Sequence, residues 1–362
     1  MKKTLLFAVS ILVCALLAVR LGFAARPGVP ASAQGDYNVV IIVADDFSDS
    51  TLDTVDTGQF DSSDNCTVSL EGQAFAVRGV SADPIDEAHG DLVYAQLEEL
   101  LADANAGSAI DLVQVDIQGV TTDIVASRIG DAIADHPADF YVVNMSFVII
   151  PCEYITGFAD FESQMMDARD AKDLNKYRGL FQRAVVFYDK TVFPAMSHRA
   201  QSATDLDPLQ SLFTSLSSNV IPVAAAGNFG LDFPFWPGAW GQVISVSASE
   251  GTGYDAPAPW DKKKDTPLLG TEDLTPGKTT RISNYGEVMI PGEYASDFGV
   301  VAGTSFAAPR LSVAMAVYVS QVGGSYCRQS NGNPALAYGG WDNLMLGEVI
   351  GDYCPEMASY LP

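Results

Sequence analysis

The 362-residue chain is 48% hydrophobic and 18% charged, enough apolar side chain to bury a substantial core, which excludes disorder on a large scale. Its formal net charge is −25, and a surface of that sign repels phosphate backbones and anionic lipid, so neither nucleic acid nor a membrane surface is expected as a partner. The acid excess is read as a means of solubility outside the cell or of salt tolerance rather than as an acidic docking face.

Taken in chain order, the first element is an export signal. Lys2 and Lys3 precede an apolar run from Leu5 to Val19, and Ala31-Ser32-Ala33 supplies small residues suited to cleavage, so residues 1–33 are expected to be a signal peptide. The apolar run is shorter than the roughly 20 residues of a membrane span. The alternative is an uncleaved N-terminal anchor through the same segment; the protein is thus expected to be secreted or extracytoplasmic, and in contact with membrane only if that segment is retained. Cleavage would remove Lys2, Lys3, Arg20 and Arg26 and take the net charge from −25 to −29. It would leave Cys66, Cys152, Cys327 and Cys354, an even number that can pair in three ways. A bridge between Cys327 and Cys354 is favoured, since it would staple the C-terminal tail, residues 323–362. No two cysteines are close enough in sequence to form a metal-ligand pair and no histidine cluster assists them, so no metal is assigned.

From residue 38 onward, apolar runs of strand length alternate with segments of helical period, the signature of a mainly parallel sheet with crossover helices. The strand-length runs are Val39 to Ala44, Leu112 to Ile117, Tyr141 to Phe147, Val220 to Ala226, Val243 to Ala248 and Val300 to Ala302. Helical spacing joins Leu92, Val93, Leu97, Leu100 and Leu101, then Val125, Ile129 and Ile133 in a segment that Thr122 caps, then Leu209, Leu212, Phe213 and Leu216. Residues 151–204 interrupt the rhythm and read as an insertion of helices and loops within one domain spanning 34–322. Gly251 to Lys278, dense in Pro, Gly and charge, reads as a surface excursion.

Four places carry residues suited to chemistry. In Gly303-Thr304-Ser305-Phe306-Ala307-Ala308-Pro309 a serine opens a helix after a glycine turn, where the positive end of the dipole favours developing negative charge. The strand Ile221 to Ala226 ends in Gly227-Asn228, whose side-chain amide is a neutral donor suited to an oxyanion. His89-Gly90 precedes an amphipathic helix and is the candidate base, whereas His136 lies in a turn and His198 in the insertion. The first strand ends in Asp45-Asp46; Asp45 is preferred as the acid that orients the base, because successive strand residues face opposite sides, with Asp46 as the alternative.

The serine string resembles the nucleophile motif of the subtilisin-like serine proteases, Gly-Thr-Ser-Met-Ala-(Ala/Thr)-Pro, with Phe306 in place of the usual Met. Val143-Asn144-Met145-Ser146-Phe147 is similar to the family's Asn-Met-Ser strand beside the substrate, and Ser283-Asn284-Tyr285-Gly286 and Ile290-Pro291-Gly292 also have family counterparts. The likeness extends over about residues 38–320 in matching order, and the Asp, His, Ser chain order is that of subtilisin. It implies an α/β three-layer sandwich with a mainly parallel central sheet. It also implies a monomeric serine endopeptidase acting on polypeptides through an acyl-enzyme. Asp45, His89 and Ser305 would form the triad and Asn228 the oxyanion hole, with Ser146, Phe147 and Gly227 against the substrate. No cofactor is required; structural calcium is expected from the family alone, since no Asp-x-Asp-x-Asp-Gly loop places it.

Two departures matter. Where the family commonly has glycine after Ser146, this chain has Phe147, Val148 and Ile149, which should narrow or reroute the specificity pocket. After His89-Gly90 the family's Thr-His-Val-Ala-Gly is replaced by Asp91-Leu92-Val93-Tyr94-Ala95. These departures motivate a second expectation, a catalytically weak or inactive binding protein on the same fold. An esterase is disfavoured by the missing Gly-x-Ser-x-Gly elbow.

Overall fold

The computed structural model describes residues 37–47, 60–61, 64–68, 76–78, 88–104, 106, 110–171, 173–200, 206–216, 219–231, 233–249, 283–284, 286–296 and 299–322. All lie within one compact unit, Gln34–Pro362. The N-terminal segment, the 251–278 excursion, the 323–362 tail and the cysteines Cys327 and Cys354 lie outside the described residues. Among the described residues no helix is long and apolar enough to cross a membrane.

The central sheet has six strands, all paired in parallel: β1 (Val39–Asp45), β4 (Ile110–Asp116), β5 (Phe140–Met145), β7 (Val220–Ala225), β8 (Ile244–Ser249) and β9 (Val288–Pro291). Their order across the sheet is β4-β1-β5-β7-β8-β9. Helix α1 (His89–Asp103) connects β1 to β4, and α2 (Thr122–Asp135) connects β4 to β5. The chain steps to one side of β1 and then back to the other, which puts a topological switch point, and so a crevice, at the carboxyl end of β1.

The sheet is covered on both faces, and the alternation of its side chains sorts them into two cores. Val39, Ile41 and Val43 of β1, Phe140 and Val142 of β5, and Ile221 and Val223 of β7 pack with α1 and with α7 (Thr304–Val322). Val40, Ile42 and Ala44, with Tyr141, Val143 and Met145, pack on the opposite face with α2 and α6 (Pro208–Ser215). Residues 151–204 hold α3 (Ile155–Asp170), α4 (Leu174–Phe187), a π-helical turn (Tyr188–Val192) and α5 (Phe193–Ala200). Phe158, Met165, Phe181, Val185, Tyr188 and Met196 from these helices join the second core.

Three sequence expectations need correction. Val300–Ala302 is not a parallel strand: β11 (Gly299–Ala302) pairs antiparallel with β10 (Glu293–Ser296) and β3 (Ala76–Arg78) in a separate small sheet. The sixth parallel strand is β9, four residues long and ending in proline, too short for a periodic signal. The run Tyr141 to Phe147 is not one strand. β5 stops at Met145, and Val148–Pro151 forms β6, which pairs antiparallel with β2 (Asn65–Val68) because the chain leaves the parallel sheet after Ser146. Thr122 does not cap α2. Thr121 occupies that position without a side-chain cap bond, and the Thr122 hydroxyl donates instead to Asp207 Oδ2 at 2.8 Å.

The β2–β6 ribbon is tied down on every side. Cys66 and Cys152 form a disulfide across it. Thr67 donates from its hydroxyl to the Ile117 carbonyl at 2.6 Å and from its N–H to that of Val120 at 2.9 Å, joining the ribbon to the end of β4. The Ile149 N–H donates to the Trp236 carbonyl at 2.8 Å on the other flank.

Candidate active site

The residues singled out from the sequence meet at the carboxyl edge of the central sheet. Because Asp45 shares the parity of Ile41 and Val43, its side chain leaves β1 on the face that carries α1. There Asp45 Oδ1 lies 2.7 Å from Nδ1 of His89, the first residue of α1. The helix start is drawn against the strand end by the Gly90 N–H, which donates to the Asp46 carbonyl at 2.6 Å. A Cβ on Gly90 would lie 2.4 Å from that carbonyl oxygen, so only glycine permits this approach. Asp45 is fully buried and His89 is 5% exposed, so the pair sits where water screens it little. The Asp46 N–H donates to the same Asp45 oxygen at 2.8 Å, further fixing the carboxylate.

An imidazole whose Nδ1 hydrogen is given to a carboxylate presents Nε2 as an acceptor. His89 lines a pocket shared with Ser305, Asn228, Gly227, Ser146 and Phe147. Ser305 stands in the first turn of α7, where its N–H has no carbonyl four residues earlier within the helix. Ser146 donates from Oγ to the Ser305 carbonyl at 3.2 Å, and accepts from Asn144 Nδ2 at 3.2 Å. Asn144 Oδ1 accepts in turn from the Ser312 hydroxyl at 3.0 Å, so a buried polar chain locks α7 to β5 beneath the serine.

The orientation of the Asn228 amide follows from its partners. Its oxygen accepts from the Thr304 N–H at 2.9 Å and from the Thr304 hydroxyl at 3.1 Å. A backbone N–H only donates, so the atom facing it is Oδ1, and Nδ2 is the end turned toward Gly303, where a Cβ would approach to 3.0 Å. The Thr304 hydroxyl also accepts from the Gly227 N–H at 3.0 Å, which ties the end of β7 to the start of α7. Gly227 has φ +103°, and a Cβ there would lie 2.6 Å from both Asn284 Nδ2 and Phe235 Cδ2, so both backbone and space require glycine. Asn284 holds the following turn: its Nδ2 donates to the Ala226 carbonyl, and its Oδ1 accepts from the N–H groups of Phe229 and Leu231, each at 3.0 Å.

Other residues of the pocket escape the sequence reading. Val68 of β2 and Phe235 line it beside Phe147 and Val148. Phe235 is stacked on Tyr188 of the π-helical turn, ring centroids 3.7 Å apart. Phe306, where the subtilisin-like motif has methionine, sets its ring between His89 and Tyr294, at 5.8 and 6.1 Å. Among the described residues no group of His, Cys, Asp or Glu is placed to hold a metal ion.

No curated protein matches the chain significantly. Solved structures that resemble it include the self-cleaved protease domain of PatA, with 20% identity, coverage of 79% of this chain and 82% of that one, and a TM-score of 0.39. Sphericase shows 15% identity, coverage of 83% and 84%, and a TM-score of 0.40. The prenylagaramide maturation protease PagA shows 16%, 79% and 76%, and 0.38. The profile of the subtilase family, Peptidase S8, matches residues 95–328, more than half of the chain and including Asn228 and Ser305. This protein, with its parallel α/β sandwich, therefore belongs to the subtilase family of serine proteases.

Proposed function

We propose that the protein is an active serine endopeptidase, exported from the cytoplasm, that cleaves polypeptides through an acyl-enzyme. The observation that carries this reading is the buried Asp45–His89 pair at 2.7 Å, opening onto the pocket that Ser305 and Asn228 also line. In the reaction Ser305 Oγ attacks the scissile carbonyl carbon while His89 Nε2 takes its proton, and Asp45 stabilises the resulting imidazolium. The oxygen that becomes anionic receives hydrogen bonds from Asn228 Nδ2 and the Ser305 N–H, donors held in place before the charge develops. His89 then passes its proton to the departing amine, and water repeats the sequence to release the acid. The Cys66–Cys152 bridge supports export, since such bonds persist in oxidising compartments.

A fluorophosphonate probe tests the reading. The native protein is expected to become covalently labelled and Ser305→Ala to remain unlabelled. A native protein that is folded yet never labels would overturn the active-enzyme reading, and binding of a peptide without cleavage by that protein would favour the binding-protein alternative.

A further inference from the structure

We infer that this site, on the active-enzyme reading above, takes polypeptides whose residue donating the scissile carbonyl is small, glycine, alanine or serine. Phe147 and Phe235 fill the space that residue's side chain must enter.

The direction of that side chain follows from the reacting groups. The carbonyl carbon lies against Ser305 with its oxygen toward Asn228 Nδ2. The leaving amine takes its proton from His89 and so departs on the histidine side. What remains for the acyl residue is the part of the pocket lined by Ser146, Phe147, Val148, Ala225, Gly227 and Phe235. Phe147 and Phe235 are 2% and 1% exposed, and the whole pocket, from His89 and Ser305 to Phe235, holds about 30 Å³. A benzene-sized guest occupies a cavity of roughly 150 Å³, so an aromatic side chain is excluded while a methyl or hydroxymethyl group fits.

Neither ring is free to move aside. Phe147 immediately precedes β6, which is paired with β2, bridged by Cys66–Cys152 and bonded on its other flank to Trp236. Phe235 donates its N–H to the Ala226 carbonyl at 2.8 Å. Its ring packs against Tyr188 at 3.7 Å and Phe229 at 5.2 Å, and those two meet each other edge to face at 5.9 Å. Tyr188 acts through Phe235 and is a positioning residue. Wall and floor are thus set by the ribbon and the helical insertion, neither of which belongs to the six-stranded sheet.

Three internally quenched peptides differing only in Ala, Leu or Phe at the acyl position test this with the purified full chain, each preparation first titrated with the fluorophosphonate probe. The native enzyme is expected to favour the Ala peptide over the Phe peptide by about tenfold or more in kcat/KM. Phe147→Ala should shift that ratio toward Phe by a similar factor, and Phe235→Leu supplies a second reading should the first variant fail to fold. A labelled native enzyme that cleaves the Phe peptide as fast as the Ala peptide, or cleaves none of the three, overturns the small-residue assignment alone. Failure of the folded native protein to label overturns the catalytic reading and this inference with it.

Discussion

Tyr188 offers a sharp test of how the helical insertion is held. Its side chain is fully buried, its ring is packed against Phe158, Phe229 and Phe235, and its hydroxyl has no hydrogen-bond partner among the described residues. A buried hydroxyl without a partner costs about 1–3 kcal/mol, whereas deleting one oxygen forfeits only a few dispersion contacts of about 0.1–0.2 kcal/mol each. Tyr188→Phe keeps every ring contact and should therefore stabilise the protein by about 1 kcal/mol, a rise in Tm of about 2 °C. Burial also pushes the Tyr188 phenol well above its ordinary value of 10.0, because the phenolate would lose its hydration. The sign follows from linkage: above pH of about 10 the unfolded chain releases this proton and the native chain keeps it, so native stability falls as pH rises. The phenylalanine variant has no such proton, and its advantage should widen above pH 10. Thermal and urea unfolding, both in a Ser305→Ala background to prevent self-digestion, measure the two effects. A variant less stable by 1 kcal/mol or more at neutral pH would refute the argument, since the hydroxyl would then have to be bonded in the native state.

Two further outcomes follow from the site. Thr304→Val removes the hydroxyl that donates to Asn228 Oδ1 and accepts from the Gly227 N–H, loosening the amide proposed as oxyanion donor while leaving the serine side chain in place. Steady-state kinetics should show kcat reduced about tenfold with little change in KM, the loss of roughly one hydrogen bond felt mainly in the transition state. Replacing both Cys66 and Cys152 by serine opens a cross-link between residues 86 apart in sequence. Chain entropy puts its contribution at about 4.6 kcal/mol as an upper bound, so denaturant unfolding should reveal a loss of about 2–4 kcal/mol.

What could be read from the sequence, and what could not, divides along physical lines. The apolar strand Val39 to Ala44 and the parity of Asp45 are local signals, and the structure has β1 there with Asp45 facing His89. The string from Gly303 to Pro309 locates the start of α7 because tight turning, dipole and close packing each restrict the residues there. The ribbon is different: Asn65–Val68 pairs with Val148–Pro151 across more than eighty residues, and nothing local in either segment names its partner. The cysteine count allowed three pairings equally, and the expectation of Cys327 with Cys354 falls outside the described residues. Phe235 is hidden for a related reason. Its stretch, Phe233-Pro234-Phe235-Trp236-Pro237, is rich in aromatics yet has neither strand nor helix period, and its role depends on Tyr188, almost fifty residues earlier. The bulky residues Phe147 and Val148 after Ser146 do line the pocket, although nothing in them names the antiparallel pairing that follows.

The aromatic stack beside the pocket also bears on how this chain can be trimmed. Helices that look like an appendage in sequence supply the neighbours of Phe229 and Phe235, so excising residues 155–200 would strip one side of those rings and leave a sticky apolar scar. A minimal core cut along the six strands would therefore aggregate, and any chimera built on this scaffold must carry the inserted helices with it.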